Sequence, residues 1–385
     1  MSSARSSPRD SSGPVERRWY KSTVPSIQPS RTRVLHFPDW RGANPYQRLL
    51  AAALGRQAVD VAFATYAGAL LPLTRNVLEQ RPQILHLHWI AEIAGLTDDN
   101  LLRSRLKQIL FRLDVAIVRR LLRGRLVWTA HNLRSHENRN LTADCSTRRF
   151  LARQVAYLLA HGPAASAAVV ADYGVTADRV VLAHHGHFIG VYRNDTTKAE
   201  SRQRLAIPDD RFVFLCFGDL RPYKGVDDLI ASFTQLAEPR TLLVVAGRAS
   251  DPGYAETLRR RASSSDVTFV DRFIPDESVQ WFFNASDVVV LPFREILTSG
   301  SLLLAMSFGR MVVAPRLGCV PDYVDPLCNV IYEPAVPDAL TDALRATLTR
   351  DVDACGRSNL EAVRRFDWDD SAARTAAVYR NLVAH

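Results

Sequence analysis

Two short segments carry residue types suited to holding a phosphorylated ligand. Residues 217–225 read FGDLRPYKG: an apolar run ends, glycines flank a turn, and Arg221, Lys224 and Gly225 precede the periodic stretch Val226–Leu236. Two cations beside a helix start, where unpaired N–H groups and the positive end of the helix dipole also lie, suit a diphosphate. Lysine is not this chain's habitual cation, since only Lys21, Lys107, Lys198 and Lys224 occur among 49 basic residues. A solvated turn would read the same way. The second segment, residues 291–309, reads LPFREILTSGSLLLAMSFG. Thr298, Ser299, Gly300 and Ser301 stand there before a helix starting near Leu302, which makes either a second anion site or an ordinary cap. Glu295, in the same loop, is placed to accept sugar or ribose hydroxyls.

A further set belongs to the first half of the chain. Asp39, Gly42 and Asn44 follow an apolar run ending at Phe37, a loop in which Asp39 is either a general base or a turn residue. His86, His88 and Trp89 end the run QILHLHW, and His131, Asn132 and His136 follow RLVWT. His184, His185 and His187 form another group, whose spacing matches no standard zinc site. Histidines at several strand ends would share one edge of a sheet and face whatever lies beyond it.

Those segments need elements to position them. Short apolar runs alternate with helical patterns at Arg33–Phe37, Val59–Phe63, Gln83–His88, Arg125–Thr129 and Arg179–Ala183. They resume at Arg211–Phe217, Thr241–Ala246, Val267–Val270, Asp287–Leu291, Met311–Ala314 and Asn329–Tyr332. This predicts two successive doubly wound α/β units with parallel sheets, whose carboxyl edges face a common cleft. The expected division is a disordered tail (1–30), an acceptor-binding domain (31–190), a linker (191–210), a donor-binding domain (211–368) and a closing helix (369–385).

Composition narrows the classes. The chain has 385 residues, 47% hydrophobic and 23% charged, as in globular proteins. No apolar run is long enough to span a bilayer, and no G-x-G-x-x-G follows a strand, which weakens a dinucleotide oxidoreductase. The five cysteines form no C-x-x-C pair. Residues 1–190 carry 26 basic and 13 acidic side chains, whereas the remainder is mildly acidic. A basic half suggests a polyanionic surface, nucleic acid or anionic membrane. Residues 101–122 are helical by period, with Leu102, Leu106, Ile109, Leu113 and Ile117 on one face and Arg105, Arg112, Arg119 and Arg123 along a flank. The helix is either packed in the core or interfacial, offering cations to lipid phosphates. No nucleic-acid recognition motif is present.

From about Arg33 onward the chain resembles the GT-B glycosyltransferases, most strongly over residues 217–229 and 291–318. It is similar there to bacterial exopolysaccharide and lipid-linked oligosaccharide transferases, among them the GDP-mannose:glycolipid β-1,4-mannosyltransferases. The resemblance implies a cytoplasmic hexosyltransferase, peripheral at the inner face of the plasma membrane. It would move a hexose, mannose from GDP-mannose as the nearest expectation, onto a lipid-linked saccharide, with no cofactor beyond the nucleotide-sugar co-substrate and no metal. It also implies that His131 sits near the donor sugar, and that Arg221, Lys224, Gly225, Glu295 and Thr298–Ser301 hold the donor. Gly42, Asn44, His88, Trp89 and His136 would line the acceptor side. The chain departs from the group's pattern at Asp219, where arginine is usual. It departs again at Ile296 and Leu304, which match two glutamates eight residues apart. A GT-B scaffold without catalysis is the alternative expectation.

Overall fold

A computed structural model describes residues 31–42, 44–65, 68, 70–135, 140–263 and 266–384. The expected N-terminal tail and His136 lie outside them. The first sheet holds β1 (Thr32–Phe37), β2 (Val59–Phe63), β3 (Ile84–Leu87), β4 (Arg125–Thr129), β5 (Tyr157–Ala160) and β6 (Val180–Leu182). Helices α1 (Pro45–Arg56), α2 (Pro72–Gln80), α3 (Leu101–Ala116), α4 (Leu141–Gln154) and α5 (Pro163–Tyr173) connect them. The short α6 (Lys198–Arg204) leads to the second sheet, made of β7 (Phe212–Phe217), β8 (Thr241–Gly247), β9 (Val267–Asp271), β10 (Val288–Val290), β11 (Met311–Pro315) and β12 (Val330–Tyr332). Around it lie α7 (Val226–Leu236), α8 (Pro252–Arg261), α9 (Asp276–Ala285), α10 (Gly300–Ser307), α11 (Val320–Tyr323), α12 (Ala339–Thr347) and α13 (Val352–Val363), followed by α14 (Trp368–Ala384).

Both sheets are parallel. Their strand orders are β2-β1-β3-β4-β5-β6 and β12-β11-β10-β7-β8-β9. The central strands are buried on both faces, as the continuous apolar runs FVFLCF and TLLVVAG require. Each order reverses at one point, between β1 and β3 and between β7 and β10, and the loops leaving those strands diverge there to open a crevice. The segments singled out for chemistry leave from these strands.

Helix α14 returns to the first sheet. Trp368 and Tyr379 are buried there with Tyr46, Leu50 and Leu54 of α1, and Arg56 pairs with Asp369. A Cβ on Gly186 would come within 2.3 Å of the Trp368 ring, so this crossing needs glycine.

The structure adds one strand to the sequence expectations and decides between the two readings left open for α3. The strand β5 was not anticipated, because the pattern of α4 runs into it without an intervening Gly or Pro. In α3 the periodic apolar face points outward: Leu102 is 77% exposed and Ile109 64%, while Ser104, Gln108, Phe111, Asp114 and Val115 face the protein. The polar members of that inner face have work to do. Asp114 accepts from Leu73 N and Thr74 N at 2.8 Å, capping α2, and Ser104 Oγ donates to Gly95 O at 2.7 Å.

Candidate active site

The β7–β10 crevice gathers the phosphate-binding candidates. Gly218 follows β7 at φ 110°, and a Cβ there would lie 3.3 Å from Lys224 Nζ and 3.8 Å from Ser301 Oγ. The turn 217–225 and the start of α10 therefore converge on one backbone position that only glycine leaves open. Gly225 has φ 66° and packs against the Pro292 carbonyl, which a Cβ would approach to 2.1 Å. Arg294 clasps the two segments, donating to Pro222 O at 2.9 Å and pairing with Asp227 and Asp228. Gly247, at the end of β8, lets the Gly218 carbonyl approach closely, a contact not read from the sequence.

Electrostatically the crevice is poised for an anion. Lys224 makes no ion pair among the described residues, and burial lowers its pKa, with Asp219 opposing that shift. A charge held in low dielectric with no carboxylate in ion-pair contact among the described residues gains from an incoming phosphate. Ser299 Oγ accepts from Leu302 N at 3.1 Å, so its oxygen is used as the cap of α10. Thr298 has only a long contact to Cys319 Sγ, 3.9 Å. Glu295 is half-buried beside Arg294, and Leu304 is packed in the core.

The carboxyl edge of the first sheet carries a row of buried histidines. In sheet order they are His36 (β1), His86 and His88 (β3), His131 (after β4), His161 (after β5) and His185 (after β6). Tyr46, at the start of α1, touches four of them edge-on or tilted, with ring centroids 4.8–5.8 Å away, and Trp89 stacks on His131 at 4.0 Å. Burial holds every ring neutral: His36 is lowered to about 3, His161 to about 4, His185 to about 3, and His86, His88 and His131 well below the ordinary range.

The hydrogen bonds fix the tautomers. A carbonyl only accepts, so His161 Nδ1 donates to Ala183 O at 2.8 Å and its Nε2 is a lone pair. His131 Nδ1 donates to that lone pair at 3.3 Å, which leaves His131 Nε2 basic, and His88 Nδ1 donates to it at 3.2 Å. The last lone pair, on His88 Nε2, is buried without a partner. His161→Phe, which removes the acceptor that sets His131, is expected to lower kcat tenfold or more, a fraction of the ~10²–10⁴ that acid–base catalysis supplies. His161→Gln, able to accept from His131 and donate to Ala183, should recover most of it. Wild-type kcat in the phenylalanine variant would show that the tautomer of His131 is immaterial.

The two edges meet directly. Tyr323 Oη donates to His161 O at 2.5 Å and accepts from His185 N at 3.2 Å. His185 Nε2 lies 3.6 Å from where a Cβ on Gly300 would sit, so the histidine row ends at the start of α10. The other candidates are engaged elsewhere. Asp39 is bound by Arg41 at 2.9 Å, which lowers its pKa and makes it a weaker base. Asn44 caps α1 by accepting from Tyr46 N, and Gly42 stands in open space. Sequence reading missed Tyr46, His36 and His161; His161 follows the unanticipated strand. Nitrogens of His36, His86 and His88 lie within 4.8 Å of one another and are the described residues able to hold a metal. His86 already spends its ring nitrogens on Tyr379 Oη and Thr129 Oγ1, which an ion would have to displace.

Two facing Rossmann-like halves, with a cation-lined helix start opposite a row of strand-end side chains, make up the GT-B fold. Residues 211–350 match the family described as Glycosyl transferases group 1. It is 28% identical over 311 residues to the GDP-mannose:glycolipid 4-beta-D-mannosyltransferase of Xanthomonas campestris pv. campestris, covering 78% of this chain and 79% of that one. It is 24% identical over 366 residues to the D-inositol 3-phosphate glycosyltransferase of Corynebacterium glutamicum (strain R), covering 89% and 81%. In fold it is similar to the sucrose-phosphate synthase of Thermosynechococcus elongatus, with TM-score 0.72 and 17% identity over 92% of this chain and 99% of that one. Anabaena HepE in complex with UDP and glucose gives TM-score 0.70 and 16% identity, over 91% and 100%.

Proposed function

We propose that the chain transfers a hexose from a nucleoside diphosphate sugar to a lipid-linked saccharide. The observation that carries the donor half is the meeting of Lys224 Nζ and Ser301 Oγ over Gly218, at the switch point of the second sheet. These groups, with Arg221 nearby in the chain, would stabilise the charge that develops on the departing diphosphate. The glycolipid mannosyltransferase relative supports mannose from GDP-mannose as the donor, and the inositol phosphate relative supports a phosphorylated acceptor as the competing choice. Across the junction, His131 is the most exposed ring of the row at 8%, and its Nε2 carries a lone pair. An acceptor hydroxyl replacing the His88 contact would hand its proton there. Asp39, committed to Arg41, takes second place.

The acceptor half rests on α3. Leu101, Leu102, Leu106, Ile109 and Leu113 form an exposed apolar stripe, with Arg105, Arg119 and Arg123 exposed beside it. A solvated apolar stripe with a cationic flank suits the interface of an anionic membrane. No helix among the described residues is long and apolar enough to cross a bilayer.

A panel of nucleoside diphosphate sugars, read by thermal shift and by release of the nucleoside diphosphate, tests the donor reading. The preferred donor at a hundredfold its Kd contributes about 2.7 kcal/mol, a rise of several degrees in Tm. Absence of both shift and turnover across the panel would leave a scaffold.

A further inference from the structure

Away from the crevice, a groove of about 640 Å³ opens between α3 and α4. Arg112 of α3, Arg149 and Arg153 of α4 and Arg134 from the loop after β4 line it. The one carboxylate on these arginines among the described residues is Asp172, 3.6 Å from Arg134; its backbone carbonyl accepts from Arg149 Nε at 2.6 Å. Arg112 donates to Ser146 Oγ at 2.7 Å, lies 5.4 Å over the Phe150 ring, and keeps a buried Nε without a partner. Arg153 makes no ion pair among the described residues. Four guanidinium groups line this groove and only Arg134 among them meets a carboxylate of the described residues, a charge balance that suits a phosphate.

Position gives the ligand's character. Arg112 lies between Ile109 and Leu113 of the exposed stripe, and Leu141, 44% exposed, lines the groove itself. A phosphate free in solution has no use for flanking apolar surface, whereas a phosphate at the head of a lipid brings its own. The geometry points to a lipid-borne phosphate or diphosphate bound in this groove, with its chain lying along α3. This rests on the proposed membrane placement of α3 and adds to it a specific headgroup site.

The test is sedimentation of the full chain with vesicles of phosphatidylcholine, alone or mixed with phosphatidylglycerol, beside calorimetry with inorganic pyrophosphate. Arg149→Gln/Arg153→Gln is compared with Leu102→Ser/Leu106→Ser. An unchanged donor-induced thermal shift shows that both variants fold. Both are expected to lose affinity for the anionic vesicles, the arginine pair by about 30-fold, the effect of removing two cations from an anionic surface. Vesicle binding of that variant at wild-type strength overturns the headgroup site. Pyrophosphate binding that depends on the arginines without any vesicle effect overturns it in favour of a soluble phosphate ligand. A wild-type chain that ignores every vesicle overturns the membrane placement as well, and transfer to a soluble acceptor then tests the glycosyltransferase reading separately.

Discussion

Lys224→Ala is expected to lower the rate of sugar transfer by about 10²–10³ while leaving the protein folded, the loss typical of removing one group that stabilises transition-state charge. The side chain makes no ion pair among the described residues, and burial already works against its charged form, so its removal costs the fold little. A donor diphosphate held as proposed would, in contrast, lose the cation that reaches over Gly218 beside Ser301. Lys224→Arg should rescue poorly, because a planar fork does not fit where a single ammonium sits 3.3 Å from the site of a Cβ. Steady-state kinetics with a thermal melt of the apo protein separate the effects. A variant turning over near the wild-type rate would remove Lys224 from the donor site.

Acid should unfold this protein cooperatively at about pH 5. His36, His161 and His185 stay neutral in the folded chain to about pH 3–4, and burial holds His86, His88 and His131 well below the ordinary histidine range, but all six bind protons near pH 6.5 once unfolded. Their contribution is therefore complete above pH 6.5 and is lost as the pH falls from there toward the folded values. Each costs about 1.4 kcal/mol per pH unit in that window, so His36, His161 and His185 alone lose roughly 6 kcal/mol by about pH 5, and the other three add to the loss. A domain's whole stability is about 5–15 kcal/mol, so the loss overtakes it before most carboxylates titrate. Circular dichroism against pH checks this. Native spectra at pH 4 would mean that the rings accept protons inside the fold.

Much of this was legible in the sequence. The strands of the second half fall within a residue or two of their predicted limits, because short β-branched runs are bounded there by polar loops. Lys224 and Ser301, which the fold brings together over Gly218, were singled out because helix starts announce themselves through glycine and hydroxyl residues. The row of histidines was only half visible: His161 follows a strand that no turn residue sets off from α4, and Tyr46, which packs the row together, looks like any first-turn aromatic. The orientation of α3 was beyond periodicity. An amphipathic pattern says that two faces differ, whereas Asp114 capping α2 and Ser104 bonding Gly95 decide which one faces the protein.

The return of α14 bears on how the chain is made. The first sheet is synthesised first, yet Tyr379 and Trp368, which cover the β1–β3 region and Tyr46, emerge only after the entire second sheet. On the ribosome, six strands and a row of uncharged imidazoles must wait half-finished for their cover, while the second half is free to close on its own local contacts. The order of maturation is thus inverted with respect to the order of translation: the second sheet can set first, and the first is completed by a helix that follows it in the chain.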